Sequence, residues 1–430
     1  MSIILAIWIA LIAVLLIFKF DYGVFLYLAY ILLVPYMQIH FGVTLSWNLI
    51  NFVLMVAIFI QCKRKKVLID WTLMKPFFFL YGMQLLMIPF QSDVPLSFML
   101  NTYRATVMTA LVVPVSLIVI NKSYIGGGTK LMRIVVVCII IATVYGLLLT
   151  LTQGINPYLM LMCDLNDIDY LGTYLMAEDE GRLFGRISSV FSHPMTYAFF
   201  LGISFIFIYS LKRQINKKIK YVILGLIAVN CVTCGVRSVI GGLCITTVYY
   251  LYRQRNIKAT FSVGVVVLLA YICLLTIPGL NEYLGSALDQ SSQDVRGSSI
   301  EMRLEQLDGA FNEVSNNFLI GHGYSWHSYY INTKGSHPSL LFFESLFYMV
   351  LCDQGILGII VWFIFVLLYM KVNRFYVKDS TMLDCLIVFY VSYSCITGEY
   401  GYASLFMIFY IIMFYLSEKK QSAQFLIRRT

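Results

Sequence analysis

The sequence predicts an all-α, polytopic membrane protein, and three observations predict it. Sixty per cent of its 430 residues are hydrophobic. Only 12% are charged, about half the share of a soluble domain. Apolar runs as long as Phe261 to Pro278 recur along the whole chain, and runs of that length suit membrane helices of ~20 residues, whereas an outer-membrane barrel shows ~10-residue alternating strands. One integral membrane domain over residues 1–430 is expected, with about 12 to 14 transmembrane helices and two longer loops on one face.

The spans fall at about 2–18, 22–39, 43–61, 73–90, 98–120, 131–152, 190–211, 221–236, 238–252, 259–278, 355–370, 381–397 and 402–417. No basic segment precedes the first apolar run, so residues 1–18 read as a span rather than as a cleavable signal. Sidedness follows from charge. Of the 31 Lys and Arg, 23 lie in alternate loops, at Lys19, Lys63 to Lys66, Lys122 to Arg133, Lys212 to Lys220, Arg253 to Lys258, Lys371 to Lys378 and Lys419 to Arg429. The positive-inside rule makes that face cytoplasmic. A multi-pass protein of the cytoplasmic (inner) membrane is expected, with its amino terminus outside and its carboxyl terminus inside. The net charge of +9 is therefore a topology signal, and no nucleic-acid partner is expected. The ten cysteines show no disulfide framework or zinc spacing, and Cys231 and Cys234 form a CxxC inside an apolar run that reads as packed thiols.

The opposite face carries residues 153–189 and 279–354, while every cytoplasmic connection is short, so chemistry is expected outside. The first outer loop is acidic around Asp164 to Glu180 and turns basic at Arg182 and Arg186. Asp167-Ile168-Asp169 is a bare D-x-D in acidic surroundings, so no metal or other cofactor is expected. The second loop contains an amphipathic helix over Ile300 to Val314 and an apolar stretch at 338–352. A full crossing there would move Lys371, Arg374 and Lys378 outside, so a re-entrant helix ending at Asp353-Gln354-Gly355 is expected.

Eight basic residues remain: Lys75, Arg104, Arg182, Arg186, Arg237, Arg296, Arg303 and Lys334. Six lie in or beside the outer loops, where positive charge is normally thin. Arg237 separates two apolar spans with no acidic residue within twenty positions, and a guanidinium at a membrane boundary is costly unless paired or hydrated. Arg104, inside a span, reads as the partner of a buried carboxylate. Convergent guanidinium groups suit phosphate geometry and stay charged, so an anionic lipid headgroup is the natural ligand, and a diphosphate-linked lipid above all.

Arg186-Ile-Ser-Ser-Val-Phe-Ser-His193-Pro194 resembles the R-x-x-G-x-F-x-x-P segment of the O-antigen ligase and polymerase superfamily, with Ser189 where Gly is usual. Thr233-Cys-Gly-Val-Arg237-Ser238 resembles its short arginine turn between spans. Ser299 and Arg303, then Gly321-His-Gly323-Tyr324, are similar to its S-x-x-x-R helix and G-x-G turn, without the usual proline. Glu344-Ser345, with Gly355-Ile-Leu-Gly358 eleven residues after Glu344, resembles its closing pair and G-I-L-G.

The resemblance implies a metal-independent glycosyltransferase of GT-C type that uses polyprenyl-diphosphate-linked oligosaccharides on the outer face of the membrane, without a cofactor. Its Wzy-type polymerase branch joins repeat units into a surface polysaccharide such as O-antigen, capsule or exopolysaccharide. In those terms Arg186, Arg237 and Arg303 would hold the donor diphosphate. Glu344, at the ligase histidine position counted from Gly355, would take the acceptor proton, with His337 as the other candidate base. Arg182, His193, Arg296, His322, Tyr324 and Trp326 are candidate substrate contacts. The bilayer is a partner, with a flippase and a chain-length regulator as candidate protein partners. A ligase passing a finished glycan to another acceptor explains nearly the same residues. A lipid-linked glycan transporter or flippase explains only the span count, since no internal repeat is visible.

Overall fold

The computed structural model describes residues 2–35, 39–40, 44–64, 71–123, 127–152, 156–166, 185–211, 214–255, 300–399 and 401–420. The expected span 259–278, Arg182, Arg296, Ser299 and the Asp167-Ile168-Asp169 motif lie outside these residues. Among the described residues the chain is all-α apart from the two-residue strands β1 (Ile39–His40) and β2 (Thr44–Leu45), paired antiparallel.

Helix α1 (Ser2–Phe18) shows how composition becomes a membrane helix. Leu5, Ile9, Ile12 and Leu16 repeat at helical spacing and are buried, while Ile4, Ile7, Leu11, Val14 and Phe18 hold the other face and stay exposed. A helix apolar on both faces packs on neighbours with one and meets lipid with the other. The rest follow as α2 (Phe20–Leu33), α3 (Trp47–Arg64), α4 (Lys75–Met87), α5 (Leu96–Ser123), α6 (Gly127–Thr152), α7 (Pro157–Asn166), α8 (Pro194–Ser210), α9 (Lys217–Thr233), α10 (Ser238–Gln254), α11 (Ile300–Glu313), α12 (Trp326–Lys334), α13 (Leu346–Tyr376), α14 (Thr381–Thr397) and α15 (Tyr402–Leu416). Three stretches, Leu96–Asn121, Gly128–Thr152 and Leu346–Tyr376, are long and apolar enough to cross a membrane by themselves. Shorter apolar helices such as α8, α14 and α15 accompany them. The span expected at 22–39 ends at Leu33, and the one at 73–90 ends at Met87, where Pro89 turns the chain into a 3-10 segment, Ile88–Phe90.

Contacts sort the loops into two ends, as the charge pattern requires. At one end Lys130 meets Asp21 at 3.7 Å, Arg253 meets Asp384 at 3.6 Å and Lys378 meets Glu418 at 3.3 Å. Asp384 also accepts from Asn373 and Ser380, so this buried carboxylate is satisfied by neighbours. Between the ends, Tyr369, Tyr390, Tyr402 and Tyr410 are fully buried with Phe199 and Phe406, in offset and edge-on ring contacts. At the other end a second, smaller core of Val94, Met99, Tyr324, Trp326, Phe343 and Leu351 sits beneath the described part of the large loop.

That loop is seated by two glycine-bearing turns locked together. Helix α13 breaks at Gly355, whose φ of 63° and ψ of −161° exclude any side chain. The break frees backbone groups on both sides, and the turn at 318–323 satisfies them. His322 and Gly323 donate to Cys352 O and Asp353 O at 2.9 and 3.0 Å. Ile356 and Leu357 donate to Phe318 O and Leu319 O at 3.0 and 3.2 Å. A Cβ on Gly355 would lie 2.5 Å from the Leu319 carbonyl carbon, and one on Gly321 would lie 2.5 Å from Gln354 N. The helix expected at 338–352 begins at Leu346, and residues 337–345 are a turn closed by paired backbone bonds between His337 and Leu341.

Candidate active site at the loop-bearing end

One backbone bond joins the segments that carry Arg186 and Arg237. Arg186 sits in the segment leading to α8, and Ile187 N donates to Cys234 O at 3.2 Å in the turn that presents Arg237. Gly235 supplies that turn's positive φ of 70°. Ser189 also takes a positive φ of 50°, at the position where the superfamily has Gly. It is fully buried and holds its place by donating to Ala142 O at 2.6 Å while its own carbonyl accepts from Asn156. His193 caps α8, its Nδ1 accepting from Met195 N at 3.2 Å.

The third arginine comes from α11. Arg303 Nη1 donates to Glu344 O at 2.8 Å and to Gln306 Oε1 at 3.0 Å, and Nη2 pairs with Glu344 Oε2 at 3.1 Å. The side chains of Arg303 and Glu344 remain 23% and 32% exposed, so the pair borders open space. Ser345 explains the Glu-Ser pair: its Oγ caps α13 at Phe347 N and donates to Cys395 O near the end of α14. Tyr393, two residues earlier on α14, donates to Met195 O at the start of α8. Glu344, Arg303 and the Arg186 and Arg237 turns are therefore all referenced to the loop-bearing end of α14, against which α10 also packs.

The remaining loop residues play other parts. His337 is 6% exposed. Its Nδ1 accepts from Leu340 N at 3.1 Å and Nε2 faces Glu313 Oε2 at 3.3 Å. His322 Nδ1 lies 2.7 Å from Asp93 Oδ2, and its ring stacks on Trp326 at 4.6 Å. Tyr324 and Trp326 are buried in the small core, and burial pushes the Tyr324 hydroxyl above its ordinary range. His327 has Nδ1 2.8 Å from Asp353 Oδ2. Arg104 corrects an expectation: it is exposed on α5 and has no carboxylate partner among the described residues.

Several polar residues here have no sequence signature. Gln91 is buried and donates to Ile320 O and Asp353 O while accepting from Tyr324 N. Glu399, between α14 and α15, accepts from Gly401 N, Ala403 N and Tyr390 Oη at 3.1, 2.9 and 3.4 Å, and burial holds its carboxyl above the usual range. An isolated Glu after a Gly reads as an ordinary loop residue; only the fold encloses it.

A search of curated proteins finds no match to this chain. Residues 222–363, about a third of the chain, match the family model described as O-antigen ligase, so the stretch that carries Arg237, Arg303, Glu344 and both locked glycines is similar to that family.

Proposed function

We propose that this protein is an extracytoplasmic polysaccharide polymerase, a glycosyltransferase that joins polyprenyl-diphosphate-linked oligosaccharide repeat units at the outer face of the cytoplasmic membrane. The observation that carries the reading is the Arg303–Glu344 pair, a fixed cation joined to a carboxylate and bordering open space, on an end of the bundle that also holds Arg186 and Arg237.

In this reading the three guanidinium groups hold the donor diphosphate. The acceptor hydroxyl oxygen attacks the donor's anomeric carbon as the bond from that carbon to the diphosphate oxygen breaks. The bonding pair leaves with the diphosphate, whose added charge the arginines neutralise. The proton from the acceptor passes to Glu344. Fixed cations suit this task, since each donor is in place before charge develops. The carboxylate at the ligase histidine position favours the polymerase over the ligase branch. A transporter reading lacks support, because the outer arginines sit at one end of the bundle rather than along a central path.

The test is to purify Arg237→Ala and Arg303→Ala and supply each with a lipid-diphosphate-linked repeat unit. Removal of one charge-stabilising donor should lower turnover by about 100- to 1,000-fold, with the protein still folded in the membrane. Normal product from both variants would remove the diphosphate clamp. Full activity in Glu344→Gln would remove that residue as the proton acceptor.

A further inference from the structure

His337 and Glu344 are seven residues apart and are joined by one unusual turn. Leu341 and Phe343 both adopt positive φ, at 51° and 56°, although neither is glycine. Backbone in that region needs its surroundings to hold it there. The holding group is His337. Its backbone exchanges two 2.9 Å bonds with Leu341, and its Nδ1 accepts from Leu340 N at 3.1 Å and Ser339 N at 3.3 Å. Two N–H groups facing Nδ1 make that atom the acceptor, so the ring hydrogen sits on Nε2 and points at Glu313 Oε2, 3.3 Å away on α11. The ring is walled by Tyr330, Phe343 and Trp326, with centroids at 4.8, 5.5 and 6.3 Å. Both ring nitrogens are thus committed, and the side chain is enclosed.

We propose that His337 is a positioning residue: clasped between α11 and the 338–343 turn, it fixes the strained backbone that aims the Glu344 carboxylate at Arg303. The assignment rests on the function proposed above. Helix α11 carries both Glu313, which His337 faces, and Arg303, which Glu344 faces. One imidazole therefore locks the turn to the same helix that supplies the cation. A proton acceptor for substrate needs a free lone pair reaching open space, and His337 has none.

Two substitutions dissect the side chain. In His337→Asn the amide oxygen occupies the place of Nδ1 and keeps the Leu340 and Ser339 N–H bonds. In His337→Ala both halves are lost. The assay is steady-state kinetics with a lipid-diphosphate-linked repeat unit, paired with hydrogen exchange of amides 339–345 in the purified protein. His337→Asn should keep kcat within about tenfold, the loss of one hydrogen bond to a carboxylate. His337→Ala should lower kcat by about 100-fold with KM little changed, the cost of roughly 1 Å of misplacement, and should lose protection at Ser339 and Leu340. Asn as inactive as Ala, with protection intact, would make His337 a base and overturn the assignment. So would wild-type kcat or unchanged protection in the Ala variant. If the wild-type protein transfers no sugar at all, the functional proposal fails instead, while the exchange measurement still decides whether His337 holds the turn.

Discussion

Replacing Gly355 with alanine strikes the joint that seats the loop over the site. The residue occupies φ 63° and ψ −161°, a region costing about 1–3 kcal/mol for a residue with a side chain. The new Cβ would also sit 2.5 to 2.6 Å from three backbone atoms of Phe318 and Leu319. Backbone cannot rotate away as a side-chain end can, so the turn at 318–323 must lift. Lifting breaks the four bonds made by His322, Gly323, Ile356 and Leu357, at about 1 kcal/mol each. The sum, about 5–7 kcal/mol, is comparable with the whole stability of a small domain, yet it falls on the loop. The membrane half of α13 keeps Phe365 and Tyr369, both fully buried. Hydrogen exchange in detergent should therefore show those four amides exchanging at least about 1,000-fold faster, with the helix cores unchanged and transfer activity lost. Gly225→Ala is the control, because a Cβ there meets nothing within 4 Å; alanine should be neutral or stabilising by up to about 1 kcal/mol. Slow exchange at all four amides together with full activity in Gly355→Ala would refute the reciprocal docking.

Three further expectations stand on other contacts. Gln91→Ala should destabilise the protein by about 2–4 kcal/mol, since it strands Tyr324 N–H and two carbonyls; a thermal-unfolding midpoint equal to wild type would contradict this. Arg303→Lys keeps the charge but not the fork that reaches both Glu344 O and Oε2, so turnover should fall about tenfold or more rather than recover, as single-turnover kinetics would show. Glu399 gives a pH signature. Its folded carboxyl titrates above the ordinary glutamate value, so the native state keeps a proton that the unfolded chain has already released. Its contribution is fully present below the unfolded value and is lost as pH rises through the folded one. Thermal stability should decline across that window in the wild type and less so in Glu399→Gln; identical pH slopes would rule this out.

Hydropathy made the helical class legible, because each span must satisfy its own backbone and cannot hide among polar residues. Charge made the two ends legible for the same reason, and Lys130 with Asp21 or Lys378 with Glu418 confirms which loops share an end. The glycines of the G-x-G turn and of Gly355 were visible by spacing, but not their mutual docking, which joins positions thirty-four residues apart through backbone alone. Partners farther off were invisible altogether. Asp93 meets His322 across 229 residues and Gln91 meets Asp353 across 262, and nothing local distinguishes either from a solvated loop residue. Arg104 misled in the opposite way: a cation within an apolar run suggested a buried carboxylate, whereas α5 turns it outward. Ser345 was visible as half of a motif, and only the fold shows that it caps α13 and bonds α14.

The most direct measurement gives the purified protein a single lipid-diphosphate-linked repeat unit, with no nucleotide sugar and no added metal, and resolves the products by size. A ladder spaced by one repeat is the predicted result. Unchanged substrate from folded protein would contradict the polymerase and leave transfer to a separate acceptor, or transport, to be tested in its place.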